Sequence, residues 1–116
     1  MFKMEKYPLL NSFLNNEQEI ITLWQDKTNS IINNNNKLSM ERAGEIAAGK
    51  IMQEYRKEYE QLEKELENYI YNGENMPEEF IKFYDGFIEK LEVKTMPSLL
   101  IDISGTRTLI IDTLAG

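Results

Sequence analysis

Carboxylates and phenols dominate the reactive side chains of this sequence: 20 Asp and Glu and 6 Tyr among 116 residues, with no Cys and no His. Glu41 with Glu45, and Glu54 with Glu58, stand at i,i+4, a spacing that on a helix can hold a hard divalent cation or share a proton. So acidic a chain makes such pairs by chance, and no calcium-loop spacing of aspartates and glycine accompanies them. Asp102 and Asp112 read as solvent-facing charges rather than an acid–base pair, because glycosidase-type work needs a cleft around it. The absence of Cys and His removes disulfides, thiolate and imidazole metal ligands, histidine-ligated haem, and serine–histidine or cysteine–histidine catalysis. No cofactor, no metal and no catalytic residue is expected, and a carboxylate-based enzyme is the weakest of the readings weighed.

Tyr55, Tyr59, Tyr69, Tyr71 and Tyr84 could stack on nucleobases, but such platforms sit in basic grooves, and these residues sit among glutamates. Core edge or protein interface is the better reading, since tyrosine supplies contact area at low entropy cost and keeps a polar tip. The formal charge of -7 points the same way, because it repels a phosphate backbone. Direct nucleic-acid binding is not expected. The candidate docking residues are Glu54, Glu58, Glu63, Glu65 and Glu67, with Tyr55 and Tyr59, on one long helix. Their expected partner is another protein, one with a basic nucleic-acid-binding surface.

That helix is the strongest periodic signal. From Ser39 as cap, Ala43, Ala47, Ile51, Tyr55, Leu62, Leu66 and Tyr69 recur at spacings of three, four or seven over Met40 to Tyr71. At 1.5 Å per residue it would run roughly 48 Å, so it protrudes or bends. Upstream, Tyr7-Pro8 starts a short helix, Asn15-Asn16 interrupts it, and Asn16 with Glu19 reads as a capping box for a second helix. One fused helix from Pro8 to Ile32 is the alternative. Asn33 to Lys37 forms a loop. Trp24 is expected to anchor the core between the two long helices. Within the segment from Ala43 to Gly49, small residues four apart allow a close helix approach; packing inside the fold is the first expectation and a seam between two copies the second. Asn72-Gly73 turns the chain, and Asn75, Pro77 and Glu78 open a third main helix whose apolar stripe is Phe80, Ile81, Tyr84, Phe87, Ile88 and Leu91.

After Met96-Pro97 the alphabet changes. Leu99 to Ile103 and Thr108 to Leu114 flank a serine–glycine turn and read as a β-hairpin over residues 98–115. Leu100, Leu109 and Ile111 would line one face and Ile101, Ile103 and Ile110 the other, so one layer of helices would leave an apolar face for docking. The expected fold is therefore mainly α, of the α+β kind: a bundle of three to four helices over residues 7–95, one long central helix, and a carboxyl-terminal hairpin, all in a single domain.

Two fragments resemble parts of bacterial stressosome sensor proteins. Glu19-Ile20-Ile21-Thr22-Leu23-Trp24 is similar to the first helix of their globin-like domain, and Leu100 to Gly105, with Ile111-Asp112-Thr113, is similar to the strand and turn that open a STAS domain. The resemblance covers those short fragments only, and the second aspartate is offset from the pattern, so it carries no activity onto this chain.

No stretch reaches the roughly 18 to 20 apolar residues of a membrane span, and the first six residues lack an apolar secretory core, so a cytoplasmic location without membrane association is expected. Heavy use of Asn, Lys, Ile and Glu suggests an AT-rich genome. The expected function is that of a non-catalytic protein-binding regulator or inhibitor with an acidic helical face, such as a phage or mobile-element antagonist of a host nucleic-acid enzyme of the anti-CRISPR type. The alternative is a self-assembling structural or sensory module that associates through the hairpin or the Ala43 to Gly49 patch.

Overall fold

A computed structural model describes residues 2–104, which form a short 3-10 turn at Met4–Lys6 and five helices: α1 (Pro8–Asn15), α2 (Glu17–Asn34), α3 (Met40–Asn72), α4 (Glu78–Val93) and α5 (Met96–Ser104). Each break has a local cause. Pro8 occupies the first position of α1, where its missing N–H costs nothing. Asn16 separates α1 from α2 with φ -159, so the two-helix reading holds over the fused one. The Asn16 side chain does not cap a backbone N–H; its Nδ2 donates to Glu19 Oε1 over 3.3 Å. Ser39 caps α3 by accepting from the Arg42 N–H at 3.0 Å. Gly73, with φ 65, ends α3 in the left-handed conformation that glycine adopts without strain.

The expected hairpin is overturned over its described part. Residues 98–104 belong to α5, and the described residues contain no strand. The cause lies in the preceding turn. Thr95 and Ser98 form a reciprocal capping box: the Thr95 hydroxyl accepts from the Ser98 N–H, and the Ser98 hydroxyl accepts from the Thr95 N–H, each at 3.2 Å. Pro97 fits the first turn, and Met96, Leu99 and Leu100 then present an i, i+3, i+4 face that is wholly buried. That burial outweighs the strand preference of Ile101 and Ile103. The fragment from Leu100 that resembles the opening strand of a STAS domain is accordingly helical here as far as Ser104. Leu109, Ile111 and the rest of the second expected strand lie outside the described residues.

α3 is the spine. Its 33 residues correspond to roughly 50 Å of helix, and the molecule measures 54 × 24 × 24 Å. α1, α2 and α5 pack along it. Trp24 of α2 lies over Gly44 of α3, donating from Nε1 to the Gly44 carbonyl at 2.9 Å. A Cβ on Gly44 would stand 2.9 Å from Trp24 Cζ2, so the close approach requires glycine. Ala43, Ala47, Ala48 and Gly49 are buried as well. The small-residue patch is thus spent on packing within the chain. α4 packs on α1 and meets α3 through rings, Phe80 against Tyr69 at 5.0 Å and Phe87 against Tyr59 at 5.8 Å. Phe2 closes this end, 5.4 Å from Phe80 and 5.6 Å from Phe83.

Candidate functional site

The glutamates of α3 do not make one solvent-facing surface. Positions 58 and 65, two turns apart, lie on the flank toward α1, while position 63 faces α4. Glu58 reaches the amino end of α1: its Oε1 accepts from Leu9 N–H at 2.9 Å and Leu10 N–H at 3.1 Å. These are the donors that a Ser or Asp at the cap position would satisfy, and Tyr7, which stands there, makes no such bond. Glu65 accepts from the Tyr7 hydroxyl at 2.6 Å and from the Tyr69 hydroxyl at 3.1 Å. Glu63 accepts from the Tyr84 hydroxyl at 3.1 Å. Glu54 is exposed, 3.6 Å from Lys27 Nζ, and Glu67 is exposed. The outermost face of α3 mixes Glu60 and Glu67 with Lys50, Lys57 and Lys64, all exposed.

Burial sets the electrostatics of these groups. It raises the Glu58 carboxyl above the ordinary glutamate range, against the opposing pull of the Leu10 and Leu9 N–H bonds. Tyr7 is raised by burial first and by Glu65 second. Burial, with Tyr59 beside it, pushes Tyr55 up to about 12. Tyr69 and Tyr84 are raised by desolvation and by the carboxylates that they bond. Phenols held neutral against carboxylates act as hydrogen-bond donors, which is a structural duty.

Tyr55 and Tyr59 border an apolar groove of about 580 Å³ between α3, α4 and the start of α5, with Met52, Leu91 and Pro97 completing its walls. Tyr55 is itself buried, and Leu100 is 0% exposed, so neither offers the free surface expected of it. Leu109 and Ile111 lie outside the described residues.

The structure gathers exposed acid elsewhere, on α4. Glu78, Asp85, Glu89 and Glu92 share one helix face with Lys82, at successive spacings of three or four, and Glu79 adjoins them. All six are exposed. Lys82 Nζ sits 3.4 Å from Glu78 Oε1, leaving the face strongly negative. Opposite it, Phe80, Phe83 and Phe87 anchor the helix in the core. Along the edge of this acidic face, between α4 and α1, runs a second groove of about 590 Å³. Leu14, Phe83 and Gly86 form its floor, and Met4 and Val93 its lips; Val93 is 85% exposed. Lys90 at the rim is engaged inward, 3.0 Å from Glu17 Oε1 and 5.3 Å from the centre of the Phe13 ring. The sequence reading missed this face. Its signal was present as acids recurring at 78, 85, 89 and 92, out of phase with the phenylalanines.

Among the described residues no three carboxylates converge in the manner of a metal site, and no helix is long and apolar enough to cross a membrane. No family model, curated protein or solved structure matches the chain.

Proposed function

We propose that the chain is a non-catalytic protein-binding regulator that docks, through the carboxylates of α4, on a partner with a basic surface of the kind that binds nucleic acid. The observation that carries this reading is the exposed row Glu78, Asp85, Glu89 and Glu92, backed by a helix whose other side is fixed by three buried phenylalanines. A rigid row of like charge raises the encounter rate with a cationic surface and disfavours anionic competitors. The biological setting proposed is occupation of the substrate channel of a host nucleic-acid enzyme, as phage-encoded antagonists of the anti-CRISPR type do.

The test is competition. A basic nuclease is held on labelled duplex, and its release by the chain is followed by anisotropy at low and at high salt. Release that weakens with salt, and is lost on reversing Glu78, Asp85, Glu89 and Glu92 to Lys but retained on reversing Glu60 and Glu67 on α3, supports the assignment. Equal release by both variants overturns it. The alternative of a self-assembling module has lost the support of its two contacts: the described part of the hairpin is helical, and the Ala43 to Gly49 patch is packed inside.

A further inference from the structure

We infer that the groove between α1 and α4 seats apolar side chains of a basic, amphipathic helix belonging to the partner; this rests on the docking role proposed for α4 and names the chemistry of the segment docked. Gly86 is the starting point. It lies within α4, where glycine destabilises a helix by about 1 kcal/mol relative to alanine, yet a Cβ built on it meets nothing within 4 Å. Gly44, by contrast, is required by Trp24. No neighbour inside the described chain accounts for Gly86. What it does is lower the wall of the groove, so that an incoming backbone can approach Leu14 and Phe83.

The rim decides the occupant. Glu79 and Glu89 border the groove, with Asp85 and Glu92 further round the exposed face of α4; of the nearby cations, Lys82 lies beside Glu78, and Lys90 and Lys94 both lie against Glu17. A second copy would bring the same carboxylates against these, and like charges across an interface are costly. A helix with Leu-type residues at i, i+4 and i+7, flanked by Lys or Arg, meets both demands at once: its apolar row enters the groove and its cations face the acidic row. α4 is 16 residues long, roughly 24 Å, which gives room for about four turns of such a ligand.

The probe is a fluorescein-labelled Leu/Lys peptide of about 15 residues with its leucines on one helical face, compared with a scrambled peptide of identical composition, titrated with the full chain under anisotropy. Tighter binding of the amphipathic peptide, and at least about a tenfold loss with Gly86→Leu, which fills the groove, would support the inference. Circular dichroism of Gly86→Leu should remain helical, because leucine is a better helix former than glycine. Equal binding of the two peptides, with a steep salt dependence, would overturn the groove while leaving the acidic face in place. Absence of binding by either peptide would overturn both readings. A wild-type mass of two copies by light scattering, reverting to one in Gly86→Leu, would assign the groove to self-association and likewise refute the inference.

Discussion

Replacing Glu58 separates the capping of α1 from the charge that performs it. Pro8 has no N–H to satisfy, and Leu9 and Leu10 present the orphan donors of the first turn to a carboxylate supplied by α3 rather than by the cap residue. Removing a cap costs about 1 kcal/mol, and hydrogen bonds to a charged group are worth roughly 1.5 to 3; with Glu58 half-buried, Glu58→Ala should cost about 2 kcal/mol. For a chain of this size that lowers Tm by roughly 8 °C. Glu58→Gln keeps a carbonyl acceptor and should lose about half as much. The pH dependence makes the test sharper. Burial raises the folded-state pKa of this carboxyl, so the folded chain holds the proton to higher pH than the unfolded one. Stability from this group is therefore greatest below the ordinary glutamate pKa, falls as pH rises through the window up to the folded value, and is flat beyond it. The wild type's advantage over Glu58→Gln should narrow across that window, measured by urea unfolding at a series of pH values. A gap that widens with pH would refute the dominance of burial at this carboxyl, and an Ala variant no less stable than Gln would refute the capping argument.

Two glycines in helices should respond in opposite directions. Gly44→Ala places a methyl group 2.9 Å from an indole carbon and should destabilise by about 1 to 2 kcal/mol net of helix propensity, with a shift in the emission of Trp24, the sole tryptophan. Gly86→Ala meets open space and should stabilise by roughly 1 kcal/mol in chemical denaturation. Thr95→Ala removes one half of the capping box of α5 and should cost about 1 kcal/mol, read from Tm. The raised phenols of Tyr7 and Tyr55 bind protons more tightly in the folded chain, so stability should begin to fall as pH exceeds about 10 and continue falling toward 12; an alkaline melting series that stays flat there would contradict the burial of both rings.

What could be read from the sequence was whatever is decided locally. Ser39 and Gly73 bracket α3 by capping and left-handed geometry, and Asn15-Asn16 divides the first two helices, because these are properties of a few adjacent residues. Trp24 as an anchor between the two long helices was legible from its type and place, but its contact with Gly44 is a tertiary pairing that the local pattern does not name. α5 was misread because a short apolar run fits strand and helix alike; the deciding pair, Thr95 and Ser98 around Pro97, was legible but outweighed by the isoleucines. The glutamates of α3 were misread for another reason. Periodicity assigns them together to the face opposite the apolar stripe, but Glu58 and Glu65 are engaged within the chain because α1 returns to them from more than 40 residues away, bringing Tyr7 and Leu9. No local pattern encodes that return. The acidic row of α4 runs out of phase with its phenylalanines, so the apolar stripe that defines the helix does not point to it.

The dependence of α1 on Glu58 also has an outcome during synthesis. Eight residues are too few to hold a helix alone in water, and the acceptor that completes its first turn lies 49 positions later in the chain. At 5 to 20 residues per second, about 2.5 to 10 s pass between the emergence of α1 and that of its acceptor. Of the five described helices the first to emerge is thereby among the last to settle, and in the interval Leu9, Leu10 and Phe13 face water, or a chaperone.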